Sequence, residues 1–263
     1  MYPHLTLEAL EQLLEARFKE GFLSLRDLPS PLTFKDMQKA TQRIIHAIKN
    51  KEKITIIGDY DVDGVVSTTL MKLFFEEIEY PIEWIIPNRF KDGYGLSAGI
   101  VSQIKGTNLA ITVDNGISAV YAAKLCKEEG IELIITDHHL LASEIPEAYA
   151  IINQKQEECN FPYSDVCGAQ IAWYLIASLK NMLNIKIDMI PYMELVCVAI
   201  IADMMPLQHI NRVMVQAGMK ALSQSTKPAI RVFLEYHQKK TLNSEDIADR
   251  KSTRLNSSHV SQS

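Results

Sequence analysis

Between residues 53 and 153, short apolar runs alternate with segments of helical periodicity, and this alternation constrains the fold more than any other feature of the chain. The runs are KITIIG (53–58), IEWIIP (82–87), LAITV (109–113), IELIIT (131–136) and YAIIN (149–153), with helical patterns at 64–77, 97–104 and 117–129. Strand, helix, strand at this spacing predicts a parallel sheet with crossover helices. The runs are apolar on both faces, as strands covered by helices on both sides must be. The predicted fold is α/β, a doubly wound parallel sheet, over residues 51–155.

Both flanks read as helical. Residues 5–20 and 34–49 place apolar side chains at helical spacing around the proline-bearing loop LRDLPSPLT. From Gly168 onward the patterns GAQIAWYLIASLKNML, PYMELVCVAIIADMM and NRVMVQAGMKALSQ are helical as well. The expected organisation is an N-terminal helical segment (1–50), an α/β unit with a helical part from 156 (51–205), and a helical connector (206–248). The last residues, DRKSTRLNSSHVSQS (249–263), break the apolar periodicity and resemble the in-frame translation of a sequencing-adapter oligonucleotide, in which GATCGGAAGAGC reads Asp-Arg-Lys-Ser. They are expected to be non-native, with the natural chain cut near Ala248.

Composition narrows the class. At 47% hydrophobic and 22% charged residues the chain is neither disordered nor fibrous. Apolar stretches such as Leu195–Ile201 fall far short of the roughly 20 residues of a membrane helix. The N-terminus is charged and amphipathic, so neither a signal peptide nor a membrane contact is expected. Cys126, Cys159, Cys167 and Cys197 form no Cys-x-x-Cys pair, which fits reduced thiols in the cytoplasm rather than structural zinc. The formal charge of −5, or −7 without the three bases and one acid of the tail, excludes a globally basic nucleic-acid binder. It leaves room for a local basic groove.

The acids are placed unevenly. In GDYDVDG, directly after the first run, Asp59, Asp61 and Asp63 recur at every second residue, and in extended backbone such side chains share a face. Converging carboxylates repel one another by several kcal/mol unless something neutralises them, and a divalent cation does so. LAITV runs into Asp114-Asn115-Gly116 and IELIIT into Asp137-His138-His139, so acids and imidazoles follow three strand ends, the edge where open α/β sheets bind ligands. Asp203 is set among apolar residues in AIIADMMPL, where an unpaired charge is expensive. Carboxylates with one or two imidazoles and no thiolate make a hard site suited to Mn²⁺ or Mg²⁺. Two ions about 4 Å apart would clamp the attacking and leaving oxygens of a phosphoester, which makes a two-metal phosphoesterase the reading of the residues themselves.

These residues resemble the DHH phosphoesterase family, and within it the bacterial exonucleases specific for single-stranded DNA. The resemblance spans residues 5–235 through GDYDVDG, PNRFKDGYGLS, ITVDNGISA, TDHH with IPEAYAIIN, VCGAQIAW and IIADMMPLQHINR. It implies metal ligation by Asp59 or Asp61, Asp63, Asp114, His138 and Asp203, with Asp114 bridging two ions of Mn²⁺ or Mg²⁺. His139 would contact the scissile phosphate and protonate the leaving oxygen, with His138 and Asp114 beside it in the catalytic set. Arg89, Lys91 and Tyr94 offer the cations and the aromatic ring that a phosphate backbone and a stacked base require.

The implied reaction removes nucleotides from the 5′ end of single-stranded DNA in repair and recombination. A single-strand-binding protein or a helicase would be the partner of the intact protein, and the chain would be a monomer. Many family members carry a histidine where this chain has Ile57, and the family's glycine-rich substrate-binding domain and oligonucleotide-binding fold would lie beyond residue 248. Two other readings stand beside this one. One is a hydrolase of short oligonucleotides, cyclic dinucleotides or polyphosphate; the other is a non-catalytic metal- or nucleotide-binding docking module.

Overall fold

In the computed structural model, which describes residues 6–17, 23–236, 238 and 241–248, the five apolar runs form one parallel sheet. Its strands are β1 (Ile54–Ile57), β2 (Glu83–Ile85), β3 (Leu109–Val113), β4 (Glu132–Thr136) and β5 (Ala150–Ile152). Each lies within a run picked out in the sequence: β3 fills its run, and the others are shorter than theirs by one to three residues. Helices α1 (Leu7–Arg17) and α2 (Met37–Lys49) precede the sheet, while α3 (Val62–Glu77), α4 (Ala98–Gln103) and α5 (Val120–Glu128) are its crossovers. Four more follow: α6 (Gly168–Leu183), α7 (Ile190–Ala202), α8 (His209–Leu222) and α9 (Pro228–Tyr236). The tail 249–263 and positions 5 and 18–20 of the first predicted helix lie outside the described residues.

The strand order β2-β1-β3-β4-β5 makes the sheet doubly wound. After β2 the chain crosses back over β1 to pair Ile57 with Thr112, and this reversal opens a crevice at the carboxyl ends of β1 and β3. Side chains alternate between two cores. Ile54, Ile56, Ile111 and Ile134 pack with α2, α3, α6 and α7, while Ile57, Ala110, Leu133 and Ile135 pack with α4 and α5. Ile57, at the position where relatives were expected to carry a histidine, is a core residue of the second layer.

The helical part is continuous with the first core, which also takes in Ile210, Met214, Leu222, Ile230 and Ile247. α7 is apolar around its circumference because α3, α6 and α8 all pack against it. No helix of the described residues is long and apolar enough to cross a membrane.

Candidate metal centre

The acids after β1 converge, though not as the alternate-residue spacing predicts. The run does not continue in extended backbone: the helix begins at Val62, Asp61 is its N-cap and Asp63 already lies in its first turn. The reason is capping. Asp61 accepts a hydrogen bond from the Gly64 amide at 3.0 Å, filling one of the orphan donors of a helix start. Asp63 therefore turns inward, where its carboxylate accepts from the amides of Gly168 (2.6 Å) and Ala169 (2.8 Å) at the start of α6. A helix N-terminus aimed at a buried carboxylate favours its charged form.

Asp114 sits one residue past β3 with φ of 62°, a left-handed conformation that costs a non-glycine residue roughly 1–3 kcal/mol when held by its surroundings. Gly168 packs so closely on it that a Cβ there would lie 2.5 Å from the Asp114 Cβ. His138, past β4, is buried, and its Nε2 is 3.1 Å from Asp114 Oδ1, 3.7 Å from Asp63 Oδ2 and 3.8 Å from Asp203 Oδ2. Asp203 arrives as the C-cap of α7, at the helix end where the dipole disfavours an anion. Three overlapping triads result: Asp59, Asp61 and Asp114; Asp63, His138 and Asp203; Asp114, His138 and His139. All six expected ligands are thus brought together, and Asp114 and His138 are shared between triads.

His139, the third member of the last triad, is held from outside the cluster. Its Nδ1 is 2.7 Å from Asp137 Oδ1, and Asp137 Oδ2 accepts from the Ile117 amide at 2.8 Å. Burial alone would raise Asp137, but the bond and charge of His139 and the amides of Ile117 and His139 hold it below the usual range. The same bond raises His139 above an ordinary histidine, whereas burial lowers His138. Among the acids, burial pushes Asp59 up to about 6 and raises Asp63. Asp114 is raised well above the usual range by burial and by the charges of Asp63, Asp61 and Asp137.

These groups fit a cation. Asp59 Oδ1 is buried without a hydrogen bond, and an acidic oxygen in that position is costly unless it is paired or ligates a metal. Oxygen donors with one imidazole form the set a hard divalent ion takes.

Beside the cluster, Tyr94 Oη lies 3.4 Å from the Asp114 carbonyl and 3.5 Å from the His139 ring nitrogens. A cavity of about 320 Å³ opens there, lined by Tyr94, Leu96, the 116–119 backbone, Asp137 and His139. The Arg89 guanidinium stands 5.4 Å from the ring centroid of Tyr60, which meets Tyr94 edge-on. Lys91 is exposed in the same loop, and no hydrogen bond or ion pair ties its side chain to the cluster among the described residues. Phe90 between them is 94% exposed.

The sequence profile described as the DHH family, N-terminal domain, matches residues 53–200. The chain belongs to the DHH family. It is similar to the single-stranded-DNA-specific exonuclease RecJ of Bacillus subtilis strain 168, 36% identical over 211 residues, covering 80% of this chain and 26% of that protein. The Escherichia coli K12 protein of the same name is 36% identical over 213 residues, covering 76% of this chain and 37% of that one. A crystal structure of exonuclease RecJ bound to manganese superposes with a TM-score of 0.75 at 25% identity, over 84% of this chain and 56% of the other. The chain thus spans well under half the length of those two curated relatives.

Several residues that shape this DHH centre carried no role in the sequence reading. Asn115, fully buried, donates to the carbonyls of Ile57 (3.0 Å) and Val113 (2.9 Å) and accepts from the Leu96 amide (3.0 Å), tying β1, β3 and the 88–97 loop together. Lys155 Nζ donates to the His138 carbonyl at 2.6 Å, and Asn153 to that of His139 at 2.9 Å. Tyr60 lies inside GDYDVDG between two aspartates, and its place there was the available signal.

Proposed function

We propose that this chain carries the hydrolytic centre of a metal-dependent phosphodiesterase acting 5′ to 3′ on single-stranded DNA, in repair and recombination. The observation that carries the reading is the meeting of Asp63, Asp114 and Asp203 around His138 Nε2, with Asp59 and Asp61 beside Asp114, in a member of the DHH family that is similar to proteins named single-stranded-DNA-specific exonucleases. Asp59, Asp61, Asp63, Asp114, His138 and Asp203 would hold two ions of Mn²⁺ or Mg²⁺. Bound there, such ions supply an activated water and neutralise charge on the reacting phosphate.

The chain's own residues do the rest. With Nδ1 against Asp137, His139 has Nε2 left for the substrate, and the basicity that Asp137 raises favours its carrying a proton to the leaving oxygen. Arg89 and Lys91 offer charge to the phosphate backbone, while Tyr94 and Tyr60 offer ring faces to bases. Leu96 and Ile117 line the cavity beside His139. In the cell the protein belongs in the cytoplasm as a monomer, with a single-strand-binding protein or a helicase as partner of the intact enzyme.

The test is direct. Purified chain with Mn²⁺ should shorten 5′-phosphorylated single strands in preference to duplex, and both chelation and Asp114→Ala should abolish this. Equal activity with and without chelator would refute the reading, and faster turnover of dinucleotides than of long strands would move it to the small-substrate hydrolases.

A further inference from the structure

Of two segments singled out in the sequence, VCGAQIAW (166–173) contributes no ligand to the carboxylate cluster, and IIADMMPLQHINR (200–212) contributes Asp203 alone, leaving its last residues without a role there. In the fold they meet. Gln170 in the first turn of α6 and Asn211 in the first turn of α8 are both buried, a costly place for an amide unless its donors and acceptors are matched. Here they are. Gln170 Oε1 accepts from the Cys167 amide (3.0 Å), and Gln170 Nε2 donates to Asn211 Oδ1 (2.9 Å) with Met214 Sδ also in reach. Asn211 Nδ2 donates to the carbonyls of Asp165 (2.7 Å) and Pro206 (3.0 Å).

Both ends of this chain of bonds stop on backbone close in sequence to groups of the cluster. At one end Cys167 precedes Gly168 and Ala169, whose amides hold Asp63. At the other, Pro206 closes the turn that opens at Asp203 and passes through Met204 in a left-handed conformation, φ 55°. The near side of that turn is held to α7 by the Met204 amide on the Ile201 carbonyl (3.1 Å) and the Met205 amide on the Ile200 carbonyl (3.0 Å), and Asn211 ties its far side to α8. The three helices are already joined by apolar packing, so the amide pair adds direction rather than burial.

We propose that the Gln170–Asn211 pair is a positioning element of the metal centre: it locks the turn carrying Asp203 onto the helix terminus that holds Asp63, and so sets the spacing of these carboxylates across His138. The inference rests on reading the cluster as a metal site.

Gln170→Met keeps the side-chain volume and removes both bonds. In titrations of the metal-free protein with Mn²⁺, following free ion by electron paramagnetic resonance, it should bind about 10-fold more weakly or worse, as loss of an outer hydrogen-bond partner does. Asn211→Ser should lose affinity likewise, and the double variant should be no weaker than the worse single one, because the two residues act as a unit. Met214→Leu, which touches the same amide without tying the turns, should keep its affinity. The unfolding midpoint in chelator reads the purely structural share separately. Unchanged Mn²⁺ affinity in the variants, or losses that simply add, would overturn the proposal, and if Gln170→Met fails to fold, Asn211→Ser against Met214→Leu decides it. Tight Mn²⁺ binding by the wild type without any attack on DNA would defeat the exonuclease reading alone. Absence of Mn²⁺ binding in the wild type would defeat the metal reading on which this rests.

Discussion

His138 and His139 are neighbours in the chain with opposite surroundings. His138 is buried with its Nε2 among three carboxylates, while His139 is about half exposed and hydrogen-bonded through Nδ1 to Asp137. A buried imidazole set among several acids serves as a ligand; one oriented by a carboxylate and open to solvent serves to move a proton. His139→Ala is therefore expected to lower kcat by about 10²–10⁴-fold, the range of general acid–base catalysis, while leaving Mn²⁺ affinity intact. Single-turnover kinetics beside a Mn²⁺ titration check this, and a parallel loss of affinity would make His139 a ligand instead. Gly168 is constrained by space rather than chemistry. An added methyl would lie 2.5 Å from Asp114 Cβ and 2.6 Å from its Oδ1, and Asp114, already left-handed, has little room to retreat. Gly168→Ala should destabilise the fold by about 1–3 kcal/mol, as overpacking does, and weaken Mn²⁺ binding. Urea unfolding with and without the ion separates the two, and wild-type values in both would show that the α6 terminus can shift freely.

At the scale of elements, the site depends on how β1, β3 and the 88–97 loop are held in register at the switch point, and Asn115 makes three of the bonds that do so. Asn115→Ala leaves two buried carbonyls and one amide without these partners, at about 1–3 kcal/mol for an unsatisfied buried group. Hydrogen exchange should quicken at Leu96 and along the loop bearing Tyr94 before it does in β4; unchanged protection at Leu96 would show that the loop is held by other contacts. The sheet itself was legible because burial on both faces writes an unbroken apolar run for each strand, as Ile54–Ile57 and Leu109–Val113 illustrate. The acids at the strand ends were legible for the same reason, since a charge directly after such a run has few places to go. The conformation of GDYDVDG was not, because a period of two in sequence cannot reveal that Asp61 caps a helix and turns Asp63 into its first turn. Nor was the hold of VCGAQIAW on Asp63, which runs through two backbone amides, donors that every residue type but proline carries.

For the whole molecule the decisive quantity is charge. The chain is formally −5, and several of its described cations are spent on neighbours: Arg43 on Glu52 and Glu132, Lys53 on Glu83, Lys105 on Glu129, Lys127 on Glu147, Lys155 on the His138 carbonyl. A polyanion approaching such a surface meets net repulsion at long range, relieved near the 88–94 loop, where Arg89 and Lys91 flank the exposed Phe90. Affinity for single-stranded DNA should therefore owe less to counterion release than to stacking and to the metal centre. Each phosphate neutralised on a single strand contributes about −0.7 to the slope of log Kobs against log salt, so two such contacts predict a slope of about −1.4. With catalysis halted by chelation, fluorescence anisotropy of a labelled 5′-phosphorylated strand across a salt series measures it. Arg89→Ala and Lys91→Ala should each flatten the slope by about 0.7 and weaken binding to strands of any sequence alike. Phe90→Ala should weaken binding without changing the slope, because a ring stacked on a base releases no counterion. A wild-type slope steeper than about −3 would require more phosphate contacts than this loop has cations, and would move the DNA path to another face of the molecule.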